Sequence, residues 1–205
     1  MSILRPALSY AYMLACVFIP CIVYQAIQYR KWDHQGKMSK GNLAWRFVFI
    51  LYLCLVMRAV GMSSVWDIGQ DGPVFQWDKI NLIPFQAIGE RTQMLNIILF
   101  MPLGFLLPFI WQKNRAFFRT VLAGFLLSLS IEVGQLFNHR MTDIDDLFMN
   151  VLGTVLGFGL WYLLNRIFKV KPKEAGIFPD AASHYLALTV VSSFLLCTWR
   201  IFRLF

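Results

Sequence analysis

Six apolar stretches, each near the ~20 residues a helix needs to cross hydrocarbon, leave this chain few ways to fold. They fall at about 8–28, 43–62, 94–111, 117–137, 147–168 and 185–204. Inside lipid every backbone N–H and C=O must find a partner within the segment, so runs of this length read as helices. The expectation is an all-α, polytopic integral membrane bundle of about six transmembrane helices, with residues 1–205 forming a single membrane domain. The third run is short, and Pro102 and Pro108 within it predict a kink. The sixth is interrupted by Arg200. The first follows Arg5-Pro6, is too long for a signal-peptide core and lacks a small-residue cleavage pattern, so it reads as an uncleaved span.

Charge sorts the connections. The chain is 58% hydrophobic and 15% charged, with a net charge of +8. A basic balance can signal nucleic acid, but here the bases sit in short clusters between apolar runs, where they act as orientation signals. Residues 30–46 hold five bases and one acid. Lys113, Arg115 and Arg119 stand without an acid, and Arg166, Lys169, Lys171 and Lys173 face Glu174. Two other connections alternate with these: 63–93, with four acids against Lys79 and Arg91, and 138–146, with three acids against Arg140. The basic set is predicted to face the cytoplasm and the acidic set the outside. Cys16, Cys21, Cys54 and Cys197 all lie in apolar runs without metal-ligand spacing, and read as packing residues. No cofactor and no metal are expected.

The chemistry concentrates between Gly124 and Gly159. Gly124, Ser128, Glu132, Gln135 and His139 follow at steps of four, four, three and four, so they share one helix face. Asp146, Asn150, Gly153 and Gly157 do the same on the next run. Glu132 lies about 7–8 Å inside its helix end and Asn150 about 6 Å inside the facing end, at 1.5 Å per residue. Antiparallel neighbours would set the two side chains level. A carboxylate at mid-membrane costs about 2.5–3.5 kcal/mol on the insertion scale, so Glu132 is expected to face protein or a wet cavity.

Other polar residues gather around this hairpin. Asn96 lies near the outer end of the third run, on one side with Phe100, Gly104 and Pro108. Arg58, at similar depth, either snorkels to the headgroups or pairs with Glu132. Thr142 and Asp143 precede an apolar helical run, so acids here cap it and complement its dipole. That leaves the continuation of Asp146 into Asn150 unexplained. Gly153 and Gly157 form G-x-x-x-G, which predicts close packing on the third or fourth span. The long 63–93 connection carries Trp66, Phe75, Trp77 and Phe85. It reads either as a loop resting on headgroups or as a lid over the hairpin.

Four motifs together resemble the VanZ-like family, named for a teicoplanin-resistance protein of Gram-positive bacteria. They are N-L-I-P-F at 81–85, N-I-I-L-F-M-P-L-G-F at 96–105, I-E-V-G-Q at 131–135 and R-M-T-D-I-D-D-L-F-M-N-V-L-G at 140–153. The resemblance covers about 44–168, a four-helix core, with 1–43 and 169–205 as additional helices. The family's polar positions fall on Asn96, Glu132, Gln135, Arg140, Asp146 and Asn150. The resemblance implies a bacterial cell-envelope protein lowering sensitivity to lipid-tailed glycopeptides, without supplying a mechanism.

Three functions follow as expectations. The first is a non-enzymatic factor in the cell membrane whose outward polar pocket binds a lipid or amphiphile headgroup. Its ligand residues would be Asn96, Glu132, Gln135, Arg140, Asp143, Asp146 and Asn150, with Arg58 as a further candidate. Membrane lipids, a lipoglycopeptide or a lipid-linked cell-wall precursor are the partners it implies, and no nucleic acid. The second is a membrane-embedded enzyme on a lipid-linked substrate, with Glu132 as acid/base and Asp146 and Arg140 holding the headgroup. The third is a proton-coupled lipid transporter, against which stands the lack of an inverted repeat or of an acid path to the other side.

Overall fold

The computed structural model describes residues 4–33, 40–61, 64–69, 80–81, 90–137, 142–168 and 181–197. Among these are six α-helices: α1 (Leu4–Asp33), α2 (Lys40–Val60), α3 (Glu90–Ile110), α4 (Phe117–Leu136), α5 (Ile144–Phe168) and α6 (Ala181–Leu196). Five of them are long and apolar enough to cross a membrane. The chain is a multi-pass helical membrane bundle. Helix α6 has 16 residues, about 24 Å at 1.5 Å per residue. It starts at Ala181 rather than near 185, and Arg200 lies outside the described residues.

The sequence sorts each helix into a lipid face and a protein face. On α4, Leu122, Leu126, Leu129 and Val133 are exposed, while Gly124, Ser128 and Glu132 on the opposite side are buried. Both sets follow helical spacing, as one amphipathic cylinder in an apolar solvent should. The core joins Phe49, Ile50 and Leu53 of α2 to Phe100, Leu103 and Leu107 of α3, with Ile131 of α4 and Tyr185 of α6. Helix α3 continues through both Pro102 and Pro108. Pro102 carries no N–H, so the turn before it lacks one helical bond. The Tyr52 hydroxyl of α2 donates to the Leu99 carbonyl in that turn, at 2.8 Å.

The closest helix pair is α3 with α5, and glycine makes it possible. A Cβ on Gly104 would fall 1.9 Å from the Thr154 carbonyl oxygen, and one on Gly157 would fall 1.9 Å from that of Met101. One on Gly153 would meet the Ile97 carbonyl oxygen at 2.4 Å. The G-x-x-x-G pair therefore packs α5 on α3, backbone against backbone. Gly124 brings α4 to the same place, since its Cβ would lie 2.4 Å from the Thr154 hydroxyl. Helices α1, α2 and α6 pack together beside this unit, joined to it through α2 on α3 and α6 on α4.

Contacts also orient the ends. Trp66, just past α2, donates its indole N–H to the Leu195 carbonyl at 2.8 Å, and the Tyr12 hydroxyl donates to the Leu196 carbonyl. The end of α6 thus lies at the same end of the bundle as the end of α2. Ile80–Asn81 and Thr142–Asp143 form a two-residue parallel ladder there, pairing Ile80 with Thr142 and Asn81 with Asp143. The 63–93 connection touches the hairpin turn at this point, while Phe75, Trp77 and Phe85 lie outside the described residues.

Gly157→Leu should abolish the folded state in detergent, because the colliding atom is backbone and cannot move aside. Overpacking ordinarily costs about 1–3 kcal/mol, and this site belongs at or above the top of that range. Gly159→Leu, two residues on with nothing within 4 Å of its Cβ, should remain monodisperse on size exclusion.

Candidate functional site

Four helix ends meet around a cavity of about 370 Å³. Its polar wall carries Asn96 of α3, Glu132 and Gln135 of α4, and Asp146 and Asn150 of α5. Val60, Ile98, Leu99 and Ile131 complete an apolar wall. These are the last turn of α2, the first turns of α3, the last turns of α4 and the first turns of α5, so the cavity opens at the hairpin end.

The α4–α5 pairing is a ladder with one register. Gly124 abuts Thr154, and the Asn150 side-chain amide donates to the Ser128 hydroxyl at 2.9 Å. Glu132, one turn further out, faces the Asp146 carboxylate and the Asp143 backbone N–H. Each rung moves four residues up one helix and four down the other, which is what antiparallel neighbours in contact require. Thr154 closes the inner rung, its hydroxyl donating to the Asn150 carbonyl at 3.0 Å. It was not among the sequence candidates, although it stands one turn beyond Asn150 on the same stripe.

Asn150 and Glu132 are not level. Asp143 caps α5, its carboxylate oxygen accepting the Asp145 N–H at 3.0 Å. That starts the helix at Ile144 rather than near 147, which carries Asn150 about 4–5 Å deeper at 1.5 Å per residue. The second Asp143 oxygen accepts from the Asn81 amide at 3.4 Å. Asp143 therefore holds the turn together and does not line the cavity.

The remaining side chains divide between bracing and facing the space. Asn96 donates to an Asp146 oxygen at 2.6 Å. Gln135 donates to the Val60 carbonyl at 3.0 Å, satisfying one of the acceptors that every helix C-terminus leaves open. Glu132 is 6% exposed, and among the described residues its Oε2 has no hydrogen-bond partner. The Asn150 Oδ1 is likewise buried and unpaired.

Two candidates fall elsewhere. Arg58 does not line this cavity: its guanidinium carbon stands 4.3 Å from the centroid of the Tyr10 ring, on the wall of a separate cavity with Met13, Cys54 and Ser193. One residue is about 100° of helix turn, so Ala59 and Val60 face the polar cavity while Arg58 faces α1. Arg140 and His139 lie outside the described residues.

A second polar knot sits toward the opposite end. Arg46, counted among the loop charges from the sequence, is 1% exposed inside α2. It hydrogen-bonds Tyr185, whose hydroxyl donates to Gln25 at 2.6 Å. Tyr24 stands edge-on to Tyr185 at 5.2 Å and stacks on His184. The signal was spacing: Arg46, Phe49, Ile50, Leu53 and Met57 share the face of α2 that is buried.

This is a polytopic helical membrane protein with a cavity lined by five carboxylate and amide side chains at the end of a glycine-packed helix unit. The VanZ/LLP1 family model matches residues 49–165, and the chain belongs to the VanZ-like family. Protein VanZ of Enterococcus faecium is 33% identical over 131 residues, covering 63% of this chain and 76% of that one. No solved structure matches significantly. Every residue lining the polar cavity lies within the matched segment, whereas α1 and α6 lie outside it.

Asn150→Ala should lower stability by about 1–2 kcal/mol, the range for one buried hydrogen bond between membrane helices. Thermal unfolding of the purified protein reads it. Ser128→Ala with Asn150→Ala should cost less than the sum of the two single changes, because the partners act on one bond.

Proposed function

We propose that this chain is a non-enzymatic protein of the bacterial cell envelope whose cavity binds the headgroup of a lipid or amphiphile from the outer side of the membrane. The observation that carries the reading is a buried Glu132 carboxylate, one oxygen of which has no partner among the described residues, in the lining of a cavity with one polar and one apolar wall. Such a boundary suits a molecule with a polar head and a hydrocarbon tail. Kinship with the VanZ-like family extends the proposal to lowered sensitivity to lipid-tailed glycopeptides such as teicoplanin.

Orientation rests on charge. The cavity end carries Asp143, Asp145 and Asp146 in the hairpin, while Lys113, Arg115, Arg119 and Arg166 lie at the other end. The positive-inside rule turns the cavity outward. A cysteine at exposed Lys113 should resist an impermeant reagent in intact cells; labelling there would reverse the orientation. Asn114 is unsuited to the test because it is buried.

Glu132 beside Asp146 also suits an acid/base pair in an enzyme, and one variant separates the readings. Glu132→Gln keeps the shape of the side chain and removes its charge. If the carboxylate acts on a ligand or a proton, protection against a lipid-tailed glycopeptide should disappear while the protein stays monodisperse in detergent. Full protection with normal folding would remove the charge from the mechanism, and the enzyme and transporter readings with it. Loss of both would assign Glu132 to folding.

A further inference from the structure

The cavity offers acceptors where a ligand would need them. Each of its three amide nitrogens gives an N–H to protein: Asn96 to Asp146, Asn150 to Ser128, and Gln135 to the Val60 carbonyl. Among the described residues, Glu132 Oε2 and Asn150 Oδ1 are buried in this wall without a partner. A buried acceptor without a donor costs about 1–3 kcal/mol, more when charged. A ligand that brings N–H or O–H groups would satisfy both oxygens.

Charge narrows it further. Glu132 and Asp146 both line the space, with Asp143 adjoining, and no Lys, Arg or His lines it among the described residues. An anionic phosphate would meet like charge in a weakly screened site. The carboxylates do not gather into the three-ligand group a metal ion would take, among the described residues. Among the described residues no aromatic ring lines the cavity either, and an aromatic cage is what quaternary ammonium groups use. A primary ammonium needs only what is there: a carboxylate, an amide oxygen and room for three N–H donors. The apolar wall then takes the carbon chain that carries it.

Building on the headgroup reading above, we infer that the cavity selects amphiphiles bearing a primary ammonium, held by Glu132 Oε2 and Asn150 Oδ1. The class spans amine-bearing membrane lipids and amine-bearing amphiphilic antibiotics.

Native mass spectrometry of the full chain released from a non-ionic detergent tests this, with dodecylammonium, dodecyltrimethylammonium and dodecyl phosphate as probes. Dodecylammonium should bind saturably, and at least about tenfold more tightly than the other two. Glu132→Gln should weaken it by about the same factor, with Asp146→Asn as the second charge variant should the first fail to fold. Ala59→Trp, which fills the mouth from α2, should block it. If dodecyl phosphate or dodecyltrimethylammonium binds as well, and Ala59→Trp blocks that binding, the pocket stands and the ammonium inference falls. Unaltered dodecylammonium binding in both charge variants also overturns it. If no probe binds in a manner sensitive to Ala59→Trp, the headgroup reading itself is lost.

Discussion

Backbone contact between α3 and α5 sets the geometry on which everything else depends. Apolar side chains give little drive for helices to associate in lipid, because the surrounding tails are equally apolar. Gly104, Gly153 and Gly157 let two backbones approach until carbonyls fill the space side chains would occupy. That approach brings Asn96 within reach of Asp146. With a larger residue at Gly153, α5 would stand off and the Asp146 carboxylate would lose its donor. The glycine seam and the polar cavity are therefore parts of one arrangement.

Much of this was legible because helical spacing carries facing directly. Steps of three and four put Ser128 and Glu132 on one side of α4, and Asp146 and Asn150 on one side of α5, and those sides meet. Depth was harder. It depends on where α5 begins, and the Asp143 cap starts it earlier than the apolar run suggests. Rotation at helix ends was harder still. Arg58 and Val60 lie two residues apart, yet they line different cavities. Arg46 looked like a loop charge because the run after it is apolar. Its burial needs Tyr185 of α6, whose position along the bundle no local pattern encodes.

The two polar clusters are built differently. The Arg46 knot gathers its guanidinium with Tyr185, Gln25 and aromatic rings contributed by α1, α2 and α6. The hairpin cavity keeps space beside its carboxylate and turns its donors away from that space. Both lie within an all-helical bundle, but the cavity falls wholly within the family's matched segment, while the knot draws on α1 and α6 beyond it.

The ladder along α4 and α5 has a consequence for how the chain enters the bilayer. The Asn150 amide donates to Ser128, and Gly124 receives Thr154, all within two helices joined by a short turn. The hairpin can leave the insertion machinery as a pair, with its inner polar groups already sheltered from hydrocarbon. Asp146 and Gln135 are different, since their partners belong to α3 and α2, which are synthesised earlier. The arriving hairpin makes both bonds at once, so the hairpin end of the bundle locks in a single late docking step.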